Sequence, residues 1–224
     1  MGLIPSFPLV HFDFGAIKEL APELANRNIC KPLFLTDQGV VEHGVLKKIT
    51  DVLPSGVTFA VFGEIPENPT IKGIERALEI YKEHECDGIV ALGGGSVLDS
   101  GKALRVVTTQ GGDVIDYLKD PDRIGTNVAP YITIPTTAGT GAEITFGGGI
   151  HPETNAPAMS IRSPHVKPDL AICDPELTIS LPPHLTAATG MDAVTHCVEG
   201  YLSINANAPA EAIALDGIHR ALSY

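Results

Sequence analysis

The chain has 224 residues, 44% of them hydrophobic and 19% charged, enough for one large or two modest globular domains. Its 27 acidic against 15 basic residues leave a net charge of −12, which argues against a nucleic-acid partner or an anionic membrane surface, since both need clustered Lys and Arg. No apolar run approaches the ~20 residues of a membrane span, the opening MGLIPSFPLVHFDFG has no basic n-region or small-residue cleavage site, and Cys30, Cys86, Cys173 and Cys197 form no CxxC, so a cytoplasmic protein with reduced thiols is expected.

Residues 1–14 alternate weakly and predict an edge strand or hairpin. GAIKELAPELAN at 15–26 predicts a helix despite Pro22, and KPLFLT at 31–36 a short strand ending at Asp37. VVEHGVLKKITDVL at 40–53 reads as one amphipathic helix and VTFAVF at 57–62 as a strand. PTIKGIERALEIYKEH begins with a proline at a helix N-terminal position. GIVALGGGSVLDSGKALRVV gives strand, glycine turn and helix, and PYITI at 130–134 another strand, followed by the glycine-rich loop TTAGTGAEITFGGG. Residues 157–162 and 169–173 are read as short strands. This alternation predicts a parallel sheet with helices on both faces, an α/β fold of Rossmann-like type.

From about residue 176 the periodicity is helical and no strand-like run remains. A boundary is placed there, dividing residues 1–175, an α/β domain, from residues 176–224, the beginning of an all-helical one. Fewer than 50 residues make little core of their own, so the helical part either packs tightly on the first domain or belongs to a longer polypeptide.

Three motifs carry chemistry. GGGS at 93–96 stands between a strand and a helix; its glycines let backbone approach a ligand, and helix N-terminal amides favour an anion, so Gly94, Gly95 and Ser96 are candidates for a phosphate or diphosphate site. Ser96 can instead cap the helix. Asp37, at a strand's carboxyl end, can accept hydrogen bonds from ribose hydroxyls and would repel a 2′-phosphate, favouring NAD over NADP; the plainer reading is a helix N-cap. Thr136, Thr137 and Thr140, in the polar loop after the next strand, can bind phosphate or ribose or simply form the turn. Finally, Asp192 and His196 lie four residues apart in TGMDAVTHCVEGY, so on a helix they share one face and can reach one divalent ion; an intrahelical ion pair is the alternative.

GGGSVLDSGKA at 93–103, IPTTAGTGAE at 134–143 and DPELTISLPPHLTAATGMDAVTHCVEGYLS at 174–203 together resemble the iron-containing alcohol dehydrogenases. The resemblance implies a dinucleotide-binding domain, an all-helical metal domain and an active site in the cleft between them. It implies reversible hydride transfer between NAD, with NADP less favoured, and a small alcohol or aldehyde, aided by Fe2+ with Zn2+ as the alternative. By motif, Asp192 and His196 look like two of four metal ligands, Asp37 the adenine-ribose residue, and Asn68 in ENPT a cofactor-contacting residue. Gly94, Gly95, Ser96 and Asp99 look like the pyrophosphate and nicotinamide side, and Thr136, Thr137 and Thr140 the second cofactor loop. No nucleic acid or membrane is expected as partner; a homodimer is allowed.

The pattern departs from the family in places. The two remaining ligand histidines are expected beyond residue 224, and His219 fits no ligand motif and reads as a surface or packing histidine. Ala158 stands where a lysine near the cofactor is common, with Arg162 or Lys167 as partial substitutes, and GGGI at 147–150 is unusually glycine-rich. Glu199, one turn past His196, can orient that ring or simply face solvent. Two other readings compete: a metal-independent enzyme resembling maleylacetate reductase, against which Asp192 and His196 count, and a nucleotide-binding module without catalysis.

Overall fold

In the computed structural model, which describes residues 6–223, eight strands and eight α-helices follow in chain order. They are β1 (Leu9–Phe12), α1 (Leu20–Asn26), β2 (Pro32–Leu35), α2 (Gln38–Glu42), α3 (Val45–Thr50), β3 (Ala60–Phe62), α4 (Ile71–Glu83), β4 (Gly88–Gly93) and α5 (Gly95–Gln110). Then come α6 (Val114–Lys119), β5 (Tyr131–Pro135), β6 (Gly147–Ile150), β7 (Met159–Arg162), β8 (Leu170–Cys173), α7 (Pro183–Leu202) and α8 (Ala208–Ser223). Six strands form one sheet in the order β1-β8-β5-β4-β2-β3, every pair parallel. This is an α/β, Rossmann-like fold.

Both faces of the sheet are covered, and the strand sequences show it. Leu33 and Leu35 of β2, Ile89 and Ala91 of β4, and Tyr131 of β5 pack with α4, α5 and α6 on one face. Their neighbours Phe34, Val90, Leu92, Ile132 and Ile134 pack with α1, α2 and α3 on the other. Side chains alternate across a strand, so a sheet apolar on both faces needs continuous apolar runs. PLFL and GIVALG are such runs, buried throughout.

Helix α5 lies deepest. Gly101 lets it approach β5, because a Cβ there would sit 2.5 Å from the Tyr131 hydroxyl, which donates to the Leu98 carbonyl at 2.6 Å. Arg105, 3% exposed, donates from Nε to the Ala129 carbonyl at 3.0 Å and from Nη2 to both Asp169 oxygens, tying α5 to the ends of β5 and β8.

Several expectations need correcting. The helix expected over 40–53 is two, because Gly44 at φ 72° breaks it into α2 and α3. Pro69 lies two residues before the start of α4; Thr70 is the N-cap, its hydroxyl accepting from the Gly73 amide. GGGI at 147–150 is strand β6, not loop, and pairs antiparallel with β7 in a separate two-stranded sheet, so 157–162 does not join the main sheet. Helix α6 was not expected at all: six residues give too short a pattern. The expected N-terminal strand is β1, with residues 1–5 outside the described span.

Candidate active-site cleft

The chain runs from β2 outward to β3, returns to β4 beside β2, and then proceeds the other way to β5 and β8. The connections after β2 and β4 therefore diverge, and open α/β sheets bind ligands at such a point. Asp37 follows β2, Gly94 and Gly95 follow β4, and Thr136 follows β5. All of them open onto one cleft of about 750 Å3, lined also by Ser96, Thr137 and Thr140. Its size falls in the range of small-molecule and cofactor sites. A smaller hollow of about 230 Å3 between β3 and α4 gathers no such groups.

The cleft's floor is the start of α5. Gly94 is its N-cap, with no side-chain cap bond, and the first-turn amides of a helix have no intrahelical acceptor. A 16-residue helix aims the positive end of its dipole here. The glycines are needed for space: a Cβ on Gly93 would meet Val97 Cγ2 at 2.7 Å, and one on Gly95 would meet Thr140 Cγ2 at 2.7 Å. Glycine thus lets the threonine loop lie directly over the helix end. Ser96 does not cap; its hydroxyl donates to the Glu67 carbonyl, fastening the β3–α4 loop to α5.

Asp37 does cap. Its Oδ1 accepts from the Val40 amide at 2.9 Å, so the plain reading is realised. Its Oδ2 lies on the side of Gly93, 3.1 Å from where a Cβ would stand, and Asp37 lines the cleft. Capping by one oxygen does not exhaust a carboxylate that has about four lone-pair sites. Beyond Asp37 the wall is apolar, with Val40, Val45, Leu177 and Leu181, and His43 joins it.

Two expected cofactor residues lie outside the wall. Asn68 is exposed on the β3–α4 loop, beside Glu67, which does line the cleft. Asp99 sits behind the cleft: Oδ1 accepts from Lys102 Nζ at 2.9 Å and Oδ2 from the Gly149 amide at 3.0 Å. A Cβ on Gly148 would fall 2.6 Å from the Asp99 carboxyl carbon, which explains the glycine at that position of β6. Lys102, fully buried, also donates to Thr145 Oγ1 at 2.8 Å and the Gly147 carbonyl at 2.7 Å, so all three ammonium hydrogens have acceptors. Burial lowers its pKa, against the opposing pull of Asp99 and Glu143. Burial raises that of Glu143, and raises Cys173, with help from the Glu143 charge, to about 11. Lys102 escaped sequence reading, although DSGK places an acid and a base three apart on one helix face, the one signal available.

Neither Arg162 nor Lys167 replaces the lysine absent at Ala158. Arg162 lies over the Phe146 ring at 5.2 Å, and Lys167 Nζ donates to the Ser6 carbonyl and hydroxyl at 2.9 and 3.0 Å.

The far wall is the start of α7, through Pro182, His184, Leu185 and Thr189. Gly139 presses on this helix, where a Cβ would sit 2.8 Å from the Thr189 carbonyl oxygen. Asp192 and His196 follow one and two turns further along α7, roughly 5 and 10 Å past Thr189 at helical rise. His196 Nδ1 and Asp192 Oδ2 are 3.6 Å apart, with side chains 52% and 41% exposed. A carboxylate and an imidazole facing each other and reachable from solvent fit two ligands of a divalent ion. No third donor joins them: among the described residues no group of three or more His, Cys, Asp or Glu side chains is placed to hold a metal. His219 is exposed on α8.

Comparison with known proteins agrees with this geometry. The sequence profile of the iron-containing alcohol dehydrogenases matches residues 8–175. The 4-hydroxybutyrate dehydrogenase of Cupriavidus necator is 43% identical over 214 residues, covering 94% of this chain and 56% of that protein. The lactaldehyde reductase of Escherichia coli is 34% identical over 210 residues, 92% of this chain and 55% of its own. A sulfoacetaldehyde reductase of Bifidobacterium kashiwanohense, solved in complex with NAD+, superposes with a TM-score of 0.93 at 28% identity, covering all of this chain and 60% of that one. The chain spans about half the length of the curated relatives it matches. It belongs to the iron-containing alcohol dehydrogenase family.

Proposed function

We propose that residues 1–175 form a dinucleotide-binding domain and residues 176–224 the first part of an all-helical metal and substrate domain. Together they serve an NAD-dependent, metal-assisted oxidoreductase that interconverts a small primary or secondary alcohol and its aldehyde or ketone. One observation carries this reading: the start of α5, Asp37 and the threonine loop share a cleft whose opposite wall is α7, the helix bearing Asp192 and His196.

Each residue has a task. The amides at Gly95 and Ser96 bind the diphosphate, with the hydroxyls of Thr136, Thr137 and Thr140 above it. The free oxygen of Asp37 accepts from ribose hydroxyls and excludes a 2′-phosphate by like charge. The apolar end beyond Asp37 takes the adenine. Asn68 reaches the cofactor from the rim, and Asp99, held by Lys102, sets the position of β6 against α5. Asp192 and His196 hold Fe2+ or Zn2+ as two of its ligands. The cation supplies Lewis-acid polarisation of the substrate oxygen, and the nicotinamide supplies hydride transfer.

Calorimetric titration of the chain with NAD+ and then Zn2+, in wild type and His196→Ala, tests the proposal. NAD+ binding by both, with metal uptake lost only in the variant, is expected. Equal metal uptake would remove Asp192 and His196 from the site, and no NAD+ binding would remove the cleft. A second reading, a nucleotide-binding module without catalysis, is favoured by the pair's exposure and by the lack of a third donor among the described residues. NAD+ binding without metal uptake or alcohol oxidation supports that reading instead.

A further inference from the structure

We infer that His43 reads the base of the dinucleotide: its Nε2 accepts a hydrogen bond from the 6-amino group of adenine, so the cleft selects an adenine cofactor over one with a 6-oxo purine. This rests on the dinucleotide reading of the cleft proposed above. Helix α2 has Asp37 as its N-cap and His43 as its C-cap, and both residues line the cleft. Six positions of helical rise set them about 9 Å apart along the helix. That is room for a ribose hydroxyl at Asp37 and the far edge of the attached base at His43.

The His43 ring is held by its own helix. Nδ1 lies 2.8 Å from the Gly39 carbonyl oxygen, which also accepts the His43 amide at 3.0 Å. A carbonyl only accepts, so Nδ1 carries the hydrogen of the neutral ring and Nε2 keeps its lone pair. Among the described residues Nε2 has no hydrogen-bond partner. The ring is thus a fixed acceptor at the border of the cleft.

Its surroundings suit the face of a purine. Val40 and Val45, three positions before His43 and two after it, are buried, as is Leu177, which shares the cleft. Apolar side chains hold the face of a base but do not tell one purine from another; a polar group at its edge must do that. An amino group donates to Nε2, whereas a 6-oxo group sets one lone pair against another. The other polar groups nearby are less suited. Gln38 Nε2 is committed to Glu42 Oε1 at 2.6 Å. Ser180 and His184 border the cleft from the α7 side, and among the described residues neither side chain makes a hydrogen bond that would fix its direction.

The test is calorimetric titration of the chain with NAD+ and with nicotinamide hypoxanthine dinucleotide, which carries oxygen in place of the 6-amino group. It is run at about pH 8, where an imidazole is neutral, on wild type, His43→Asn and His43→Phe. Asparagine keeps a nitrogen donor for the Gly39 carbonyl and has no atom at the Nε2 position; phenylalanine keeps the ring and neither nitrogen. Wild type is expected to bind NAD+ about tenfold more tightly than the analogue, the scale of one neutral hydrogen bond. In both variants the ratio is expected to fall to about one. Melting temperatures check folding, and should His43→Phe not fold, His43→Asn alone decides. A merely structural role would lower both affinities together and leave the ratio unchanged. A wild-type ratio near one, or a ratio retained in His43→Asn, overturns the inference and leaves the cleft reading standing. Binding of neither dinucleotide by wild type overturns both.

Discussion

Lys102 and Asp99 form an ion pair 2.9 Å long inside the protein, and the same carboxylate receives the Gly149 amide from the neighbouring hairpin. The pair is the bolt between α5, which makes the cleft floor, and β6. Replacing Lys102 by Met keeps most of the volume but leaves Asp99 charged and the Thr145 and Gly147 acceptors without their donor. Breaking a buried pair in this way costs about 3–5 kcal/mol. Urea unfolding of Lys102→Met should show a lower midpoint with an unchanged slope; a midpoint equal to wild type would mean the network contributes nothing net.

Gly95→Ala places a methyl 2.7 Å from Thr140 Cγ2, so the threonine loop must lift from the helix end. Overpacking of this kind costs about 1–3 kcal/mol. Because the displaced loop covers the proposed diphosphate site, NAD+ affinity should fall at least tenfold, roughly 1.4 kcal/mol. Calorimetry reads this directly, and wild-type affinity in the variant would show that the loop and the helix end do not act together.

Asp37 caps α2, and in the proposed function its charge also excludes a 2′-phosphate; one substitution separates the two tasks. Serine is as good a cap as aspartate and has no charge. Asp37→Ser should therefore keep thermal stability within about 0.5 kcal/mol of wild type. Its NADP+ affinity relative to NAD+ should rise about tenfold, as expected when a like-charge contact is removed. An unchanged cofactor ratio, measured by paired titrations, would assign Asp37 to capping alone.

Glu143 is held with a raised pKa by burial, opposed by its backbone hydrogen bond and by Lys102. The folded state thus binds a proton that the unfolded state, with its ordinary value of 4.5, releases. Below pH 4.5 both states are protonated and the shift has no effect. As pH rises from there to the folded-state pKa, the unfolded state loses its proton first and stability falls. Glu143→Gln removes this dependence, so its melting temperature should match wild type near pH 4 and exceed it increasingly toward neutral pH. Parallel melting curves for the two proteins would count against the burial of this carboxylate.

Much of the cleft was legible before any fold was known. Asp37 and the glycines at 94–95 each stand at the end of an apolar run, and the carboxyl ends of parallel strands lie on one side of a sheet whatever its order. The juxtaposition of Asp192 and His196 was legible because i and i+4 share a helix face in any helix. The threonine loop was readable as a polar loop, but its seat over Gly95 depends on the parallel pairing of β4 and β5. Ser96 shows the limit: its hydroxyl was equally suited to capping, to phosphate or to a loop carbonyl, and only the β3–α4 loop brought Glu67 within reach.

The sequence by itself determined the α/β class, the strands of the main sheet, and the residues at each strand's carboxyl end, because these follow from periodicity and from neighbours within a few positions. Only the tertiary structure decided that β6 and β7 leave the main sheet, that Gly44 splits a helix, and that Asp99 turns from the cleft to Lys102 and Gly149. It alone brought α7 against the cleft through Gly139 and Thr189, residues 50 apart in the chain. Such contacts join segments distant in sequence, and their energy comes from shape and burial that no local pattern encodes.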